Sequence, residues 1–142
     1  MRRSALVLPA VVLLLAGCGD EPAGPDGVPL IGRFGNPDLH IELVAVHSGA
    51  DLNFPCGARF TSAEPIELRS DRSFRQEGDW QPVNIGGPLP PRGATVSGFE
   101  QGGTLTVTMS ADGGERYTVE LERNVSGDVD AVLCAQRPAA VR

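Results

Sequence analysis

The stretch Thr104-Leu105-Thr106-Val107-Thr108-Met109-Ser110-Ala111-Asp112-Gly113-Gly114-Glu115-Arg116-Tyr117-Thr118-Val119-Glu120-Leu121-Glu122 decides the fold class. Leu105, Val107 and Met109 alternate with threonines, and Tyr117, Val119 and Leu121 alternate with Thr118, Glu120 and Glu122. A period of two puts every apolar side chain of a strand on one face, whereas a helix would need a period of 3.6. Asp112-Gly113-Gly114 supplies the backbone freedom of a tight turn between the runs. The stretch predicts two antiparallel strands joined by a hairpin, each with one dry and one wet face.

The same alternation recurs outward from it. Leu52, Phe54 and Cys56 alternate with Asp51, Asn53 and Pro55, and Ile66 and Leu68 with Glu67 and Arg69. Adding 40–48, 73–80, 94–99 and 130–135 gives eight candidate strands. Turn chemistry separates them at Ser48-Gly49-Ala50-Asp51, Ser70-Asp71-Arg72, Gln101-Gly102-Gly103 and Ser126-Gly127-Asp128. After the first residues, no ten-residue stretch holds helical spacing without a Gly or Pro break, so the domain is predicted all-β.

Eight short antiparallel strands close either as a barrel or as a two-sheet sandwich. Cys56, Trp80 and Cys134 stand in the cysteine, tryptophan, cysteine order of immunoglobulin domains, but Val132 occupies the place of that fold's tyrosine. Regular short connections favour a meander, which removes open edges by closing into a barrel, and the sandwich is the alternative. A closed meander sets the last strand beside the first, within reach of a Cys134 bridge to the second. Eight strands enclose an interior that side chains can just fill. Leu52, Phe54, Phe60, Ile66, Leu68, Phe74, Trp80, Leu105, Val107, Met109, Tyr117, Val119 and Leu121 form the inward set, and residues this bulky predict a solid core.

Ahead of the domain, Arg2 and Arg3 precede an apolar run from Ala5 to Ala16. Such a run is too short to cross a hydrocarbon core of roughly 30 Å as a helix, and it has the length of a signal-peptide apolar core. It ends in Leu15-Ala16-Gly17-Cys18, which resembles the bacterial lipobox. The resemblance implies cleavage before Cys18 and acylation of its thiol, giving a lipid-anchored envelope protein. Two or three acyl chains anchor firmly where one would be marginal. Gly19 stands where inner-membrane retention commonly uses aspartate, so the outer membrane is favoured in a cell that has one. The expected division is a signal peptide over 1–17, a lipidated cysteine with a Gly/Pro-rich tether over 18–35, and one β domain over 36–142; the tether's last part, Ile31 to Phe34, is apolar enough to pack on the domain.

Cleavage would leave 18 Asp and Glu against 10 Arg, a net charge of −8. That balance repels nucleic acid and anionic headgroups, so the membrane is reached through the acyl chains alone. The chain has no lysine, which excludes Schiff-base and lysine general-base chemistry. Cys56 and Cys134 remain as an even pair in an oxidising compartment, and a disulfide between them is predicted. A zinc site would want two more close ligands, yet the only histidines, His40 and His47, fall on opposite faces of one strand. No metal and no cofactor are expected.

His47-Ser48 with Asp51 has the residue types of a hydrolytic triad, but a triad is assembled from sequence-distant residues, and Ser48 reads as a turn residue. Val96-Ser97-Gly98 lacks the flanking glycines and following helix of a nucleophile elbow. Glu120/Glu122 and Asp128/Asp130 read as solvated carboxylates, since general acid and base work needs a cleft that shifts one of a pair. The conspicuous loop is 84–93, where Pro88-Leu89-Pro90-Pro91 before Arg92 predicts stiff polyproline II of a kind partners dock.

Gly32-Arg33-Phe34-Gly35, Ile41-Glu42-Leu43, Phe54-Pro55-Cys56-Gly57, Pro65-Ile66-Glu67-Leu68, Ser73-Phe74 with Gly78-Asp79-Trp80, Gly86-Gly87-Pro88, Ala94-Thr95-Val96-Ser97-Gly98, Gly103-Thr104-Leu105-Thr106-Val107 and Leu133-Cys134 form a pattern over nearly the whole domain. This pattern resembles a family of small uncharacterised bacterial exported proteins; Phe34 stands where a Trp is usual and Val96 where a Tyr is usual. The likeness implies the fold and no site. The domain is also similar to lipoprotein inhibitors of lysozyme, although Ser48-Gly49-Ala50-Asp51-Leu52 lacks the tyrosine of their recognition loop. The expected function is a non-enzymatic binding or structural module at the envelope, its partner an unidentified envelope protein or small molecule. The alternatives are a carrier of apolar ligands of the lipocalin kind, or a lysozyme-inhibitor-like lipoprotein.

Overall fold

In a computed structural model of the chain, which describes residues 27–129, the alternating runs form one closed barrel of eight antiparallel strands. They are β1 (Gly32–Asn36), β2 (Ile41–Val46), β3 (Gly49–Asn53), β4 (Arg59–Ser62), β5 (Ser73–Gln81), β6 (Arg92–Gln101), β7 (Thr104–Ala111) and β8 (Arg116–Arg123). Each strand pairs with the next, and β8 pairs with β1 to close the ring. The meander and its barrel closure are as expected, and the sandwich is excluded.

Alternation places the core. Leu105, Val107 and Met109 on β7 stand opposite Leu121, Val119 and Tyr117 on β8, and all but Tyr117 are buried. Phe34, Leu43, Leu52 and Phe60 lie side by side across β1 to β4, none of them exposed. Twelve of the expected inward set are buried, joined by Leu30, Phe34, Leu43 and Val96. Burying side chains of this size stabilises by roughly 1.5–3 kcal/mol each relative to leaving them in water. Gly78 on β5 faces the same interior, where a Cβ would come within 2.6 Å of the Phe60 ring, so the missing side chain is the space that ring occupies.

The structure differs from the sequence reading at four places. Gly32–Asn36, of which Gly32 to Gly35 fall in the expected tether, is a barrel strand. Gly35 answers a close approach rather than looseness, because Val125–Gly127 lies directly on it, and Gly32 sits at φ 140°. Arg59–Ser62 also forms a strand; with four residues and one large apolar side chain it is too short to display a period. Ile66 and Leu68 are buried, but only Glu67–Leu68 is a strand and it lies outside the barrel, paired with Val28–Pro29. Pro65 before it lacks the N–H that a longer ladder needs. Cys56 leaves the strand register and sits at φ 73° in a 3₁₀ turn, Pro55–Gly57. The expected strand over 130–135 lies outside the described residues, and β8 fills the closing position instead.

In a meander the connections alternate between the two ends. The β1–β2, β3–β4, β5–β6 and β7–β8 connections form the upper end. The β2–β3, β4–β5 and β6–β7 connections form the lower end, where the chain also enters. Leu30, Ile66 and Leu68 plug that lower end, with the Leu30 N–H donating to the Ile66 carbonyl at 2.8 Å.

Candidate functional site

The upper end gathers the features that the barrel wall does not use. Trp80, at the end of β5, and Phe54, just past β3, meet edge to face with ring centroids 5.1 Å apart. Tyr117, at the start of β8, lies 5.4 Å from Phe54 and 5.9 Å from Trp80. The inward parity expected for Tyr117 thus brings it onto the aromatic cluster, but at the barrel mouth it stays 43% exposed. The Trp80 indole N–H is buried and has no hydrogen-bond partner among the described residues. Arg92 stands opposite Trp80 in the ladder and forms an ion pair with Glu115. Both partners are one-third exposed, and Arg92 Nε and Glu115 Oε2 have no partner among the described residues.

The proline-rich connection between β5 and β6 is more ordered than free polyproline II. Val83–Asn84 pairs with Gly87–Pro88 as a two-residue ladder, and the Leu89 N–H donates to the Pro82 carbonyl at 2.8 Å. Asn84 Oδ1 accepts the Gly86 N–H at 2.8 Å, so Asn84 to Gly87 makes a turn with Ile85 at its tip. Ile85 is fully exposed, and Leu89 is 38% exposed. Pro90 and Pro91 are exposed. Arg92, expected in the loop, already belongs to β6 and is engaged by Glu115. The loop is therefore a small hairpin presenting aliphatic side chains, and Arg92 braces its base. An isoleucine between Asn84 and Gly86-Gly87 is the sequence signal that marks this tip.

Of the expected covalent sites, Cys18 and Cys134 lie outside the described residues. Cys56 is at the upper end in the β3–β4 connection, half-buried, and is engaged in an interaction. After β8 the chain reverses at Asn124, whose N–H donates to the Arg33 carbonyl at 2.8 Å. It then climbs the outside of β1 and β2: the Gly127 N–H donates to Glu42 Oε2 at 3.1 Å. The Asp128 carbonyl reaches His40 Nδ1 at 3.0 Å beside the start of β2. Gly35 and Gly127 make this approach possible, since a Cβ on Gly35 would lie 2.5 Å from the Gly127 nitrogen. The segment Val125–Asp128 thus heads for the end where Cys56 sits.

The other chemistry-bearing residues are dispersed. His47 and Ser48 form the exposed two-residue turn of the β2–β3 hairpin, and His40 is at the opposite end of β2, so the two histidines share no site. Ser97 is a mid-strand residue of β6, and Glu120 and Glu122 point outward from β8. Among the described residues no group of three His, Cys, Asp or Glu side chains could hold a metal ion, and no helix is long and apolar enough to cross a membrane. The Ser73 hydroxyl and N–H, at 2.6 and 2.9 Å, hold the Asp71 carboxyl below the ordinary aspartate value. This is an exposed turn at the start of β5 and has no reactive neighbour. A shallow groove is lined by Glu64, Pro65, Glu67, Arg75 and Gln76. Compared with protein families, curated proteins and solved structures, the chain matches none.

Proposed function

We propose that this protein is an exported lipoprotein, anchored through acyl chains on Cys18, whose barrel is a non-enzymatic binding module that meets its partner through the upper-end hairpin 82–91. The observation that carries the reading is the occupied interior. Phe34, Phe60, Phe74, Leu43, Leu52 and Leu121, with their neighbours, fill the space that a carrier of apolar ligands would keep open. Recognition then falls to the loops, and Ile85 and Leu89 are the exposed aliphatic groups on the longest of them. The partner class is an envelope protein or a small molecule bound at the surface, with nucleic acid disfavoured by the acidic charge.

A Cys56–Cys134 disulfide belongs to the same proposal. Five residues, or six Cα steps, separate Asp128 from Cys134 and span up to about 20 Å when extended. From the outside of β1 and β2 to the β3–β4 connection is a distance of two or three strand spacings, roughly 10–15 Å. The climb of Val125–Asp128 therefore supports the pairing.

Two experiments test the reading. Palmitate labelling of intact cells should follow Cys18 and vanish in Cys18→Ser; continued labelling rules out the anchor. The delipidated domain, titrated with fatty acids and hydrophobic dyes and weighed by native mass spectrometry, should take up no stoichiometric ligand. Saturable uptake of one molecule would promote the carrier.

A further inference from the structure

We infer that the lower end of the barrel is seated on the lipid surface, with Val28, Ile31 and Val46 as its contact, so that the hairpin 82–91 faces away from the membrane. This rests on the lipoprotein reading and adds the orientation of the domain. The N-terminal segment is joined to the barrel at that end: Val28–Pro29 pairs with Glu67–Leu68, and Leu30 is buried among the plug residues. Eight residues, or nine Cα steps, separate Cys18 from Gly27 and reach at most about 30 Å when fully extended. A strand of eight residues, tilted as barrel strands are, makes the wall roughly 20 Å tall. Placing the upper end on the bilayer would draw the segment to most of its length along the wall, with the loss of conformational freedom that entails. Seating the lower end asks nothing of it.

The side chains at that end suit an interface. One step past the Gly32–Ala45 pair, the β1–β2 register sets Ile31 beside Val46, both turned outward. Ile31 is 39% exposed, Val46 45% and Val28 61%. Around them Arg33, Arg69 and Arg123 stand with Glu64, Glu67, Asp71 and Glu122, and Arg72 pairs with Glu100, so the apolar contact of Val28, Ile31 and Val46 carries the seating rather than the charge. At the upper end Asp38, Asp79, Asp112 and Asp128 outnumber Arg59 and Arg116, and the Arg92–Glu115 pair is self-cancelling.

The test uses the full acylated protein in vesicles of phosphatidylcholine and phosphatidylethanolamine, after mass spectrometry has confirmed the acyl mass on the N-terminal peptide. The photocrosslinker benzoylphenylalanine is placed at position 46 or at position 85, both exposed, and folding of each variant is checked by circular dichroism. Position 46 should yield lipid adducts several-fold more often than position 85, and Ile31→Ser should reduce its yield. Equal yields, or more from position 85, would overturn the orientation while leaving the anchor intact. Absence of the acyl mass would remove the anchor and the orientation together.

Discussion

The two halves of the barrel are built differently. β5 to β8 form long, continuous ladders: Ser73–Trp80 against Arg92–Phe99, Ala94–Gln101 against Thr104–Ala111, and Thr104–Ser110 against Arg116–Glu122. β1 to β4 are four to six residues long, and they join the long half through two short seams. At β8–β1 only Glu122↔Gly35 and Arg123↔Phe34 pair; at β4–β5 only Arg59↔Gln81, Phe60↔Trp80 and Thr61↔Asp79 do. Each seam has a segment laid over it. Asn124–Asp128 climbs beside the first, where the Asn36 amide also donates to the Glu120 carbonyl at 3.0 Å and the Arg123 guanidinium covers the Phe34 ring. Leu30 and Ile66 plug the end below the second. A ring with two weak joints is thus closed by packing where backbone pairing runs out, and the short half should be the less stable one.

Truncation of the core in each half measures that difference most directly. Phe60→Ala on β4 and Phe74→Ala on β5 both remove a buried ring and should each cost about 3–5 kcal/mol of global stability. Hydrogen exchange separates them: Phe60→Ala should speed exchange in β1–β4 well beyond that in β6–β8, while Phe74→Ala should speed both halves alike. Uniform acceleration by Phe60→Ala would mean that the barrel opens as one unit and that the seams carry no weakness.

Legibility in the sequence divides along the same line. The long half could be read best in β7 and β8, where Leu105, Val107 and Met109, and Tyr117, Val119 and Leu121, show full periods of alternation, and its turns are written in Gly-Gly pairs. In the short half β2 and β3 are legible as 40–48 and 51–56, but β1 and β4 are not. Phe60 is the single large apolar residue of β4 and has no period, and β1 contains two of the glycines that made 18–35 look like a tether. The signal at Gly35 is about what lies on top of it, and no local pattern shows that Gly127, from the far end of the chain, will do so. Ile66 and Leu68 alternate as in a wall strand because a plug also has one dry face. The loop 84–93 was legible as a distinctive proline-rich connection, but its inner ladder and the bracing of Arg92 by Glu115, 23 residues away, depend on the fold.

The first seam can be weakened through its strap. If Cys56 and Cys134 are bridged, the cross-link closes a loop of 78 residues, for which chain entropy sets an upper bound of about 4.5 kcal/mol, with 2–4 kcal/mol typical. The Cys56→Ser/Cys134→Ser pair should therefore lower the melting temperature by roughly 10 °C. Both thiols alkylated in unreduced protein would show that no bridge exists. Gly35→Ala acts beneath the strap and should cost less, about 1–3 kcal/mol as an overpacked contact, with faster exchange at Gly127 and Asp128. An unchanged melting temperature would mean that the strap is not pressed onto β1.

The second seam is approached through the turn that delivers the chain into β5, and here the expected effect is the smallest. The Asp71 carboxylate accepts the Ser73 hydroxyl at 2.6 Å and the Ser73 N–H at 2.9 Å, and these bonds, the hydroxyl first, hold its carboxyl below the ordinary value of 3.8. A depressed folded-state value means that the charged form is favoured by folding. Its contribution is fully present above the unfolded value and is lost as pH falls through the folded one, so only the window below about pH 4 is affected. Ser73→Ala removes the leading cause and keeps the N–H, so the Asp71 titration followed by carboxyl-carbon NMR should move up toward 3.8 without reaching it. Because the turn is exposed, the melting temperature at pH 7 should hardly change. A titration that stays put in the variant would show that the hydroxyl does not hold the carboxylate, and a large loss at pH 7 would show that the turn is part of the seam's packing rather than a solvated lead-in to the long half.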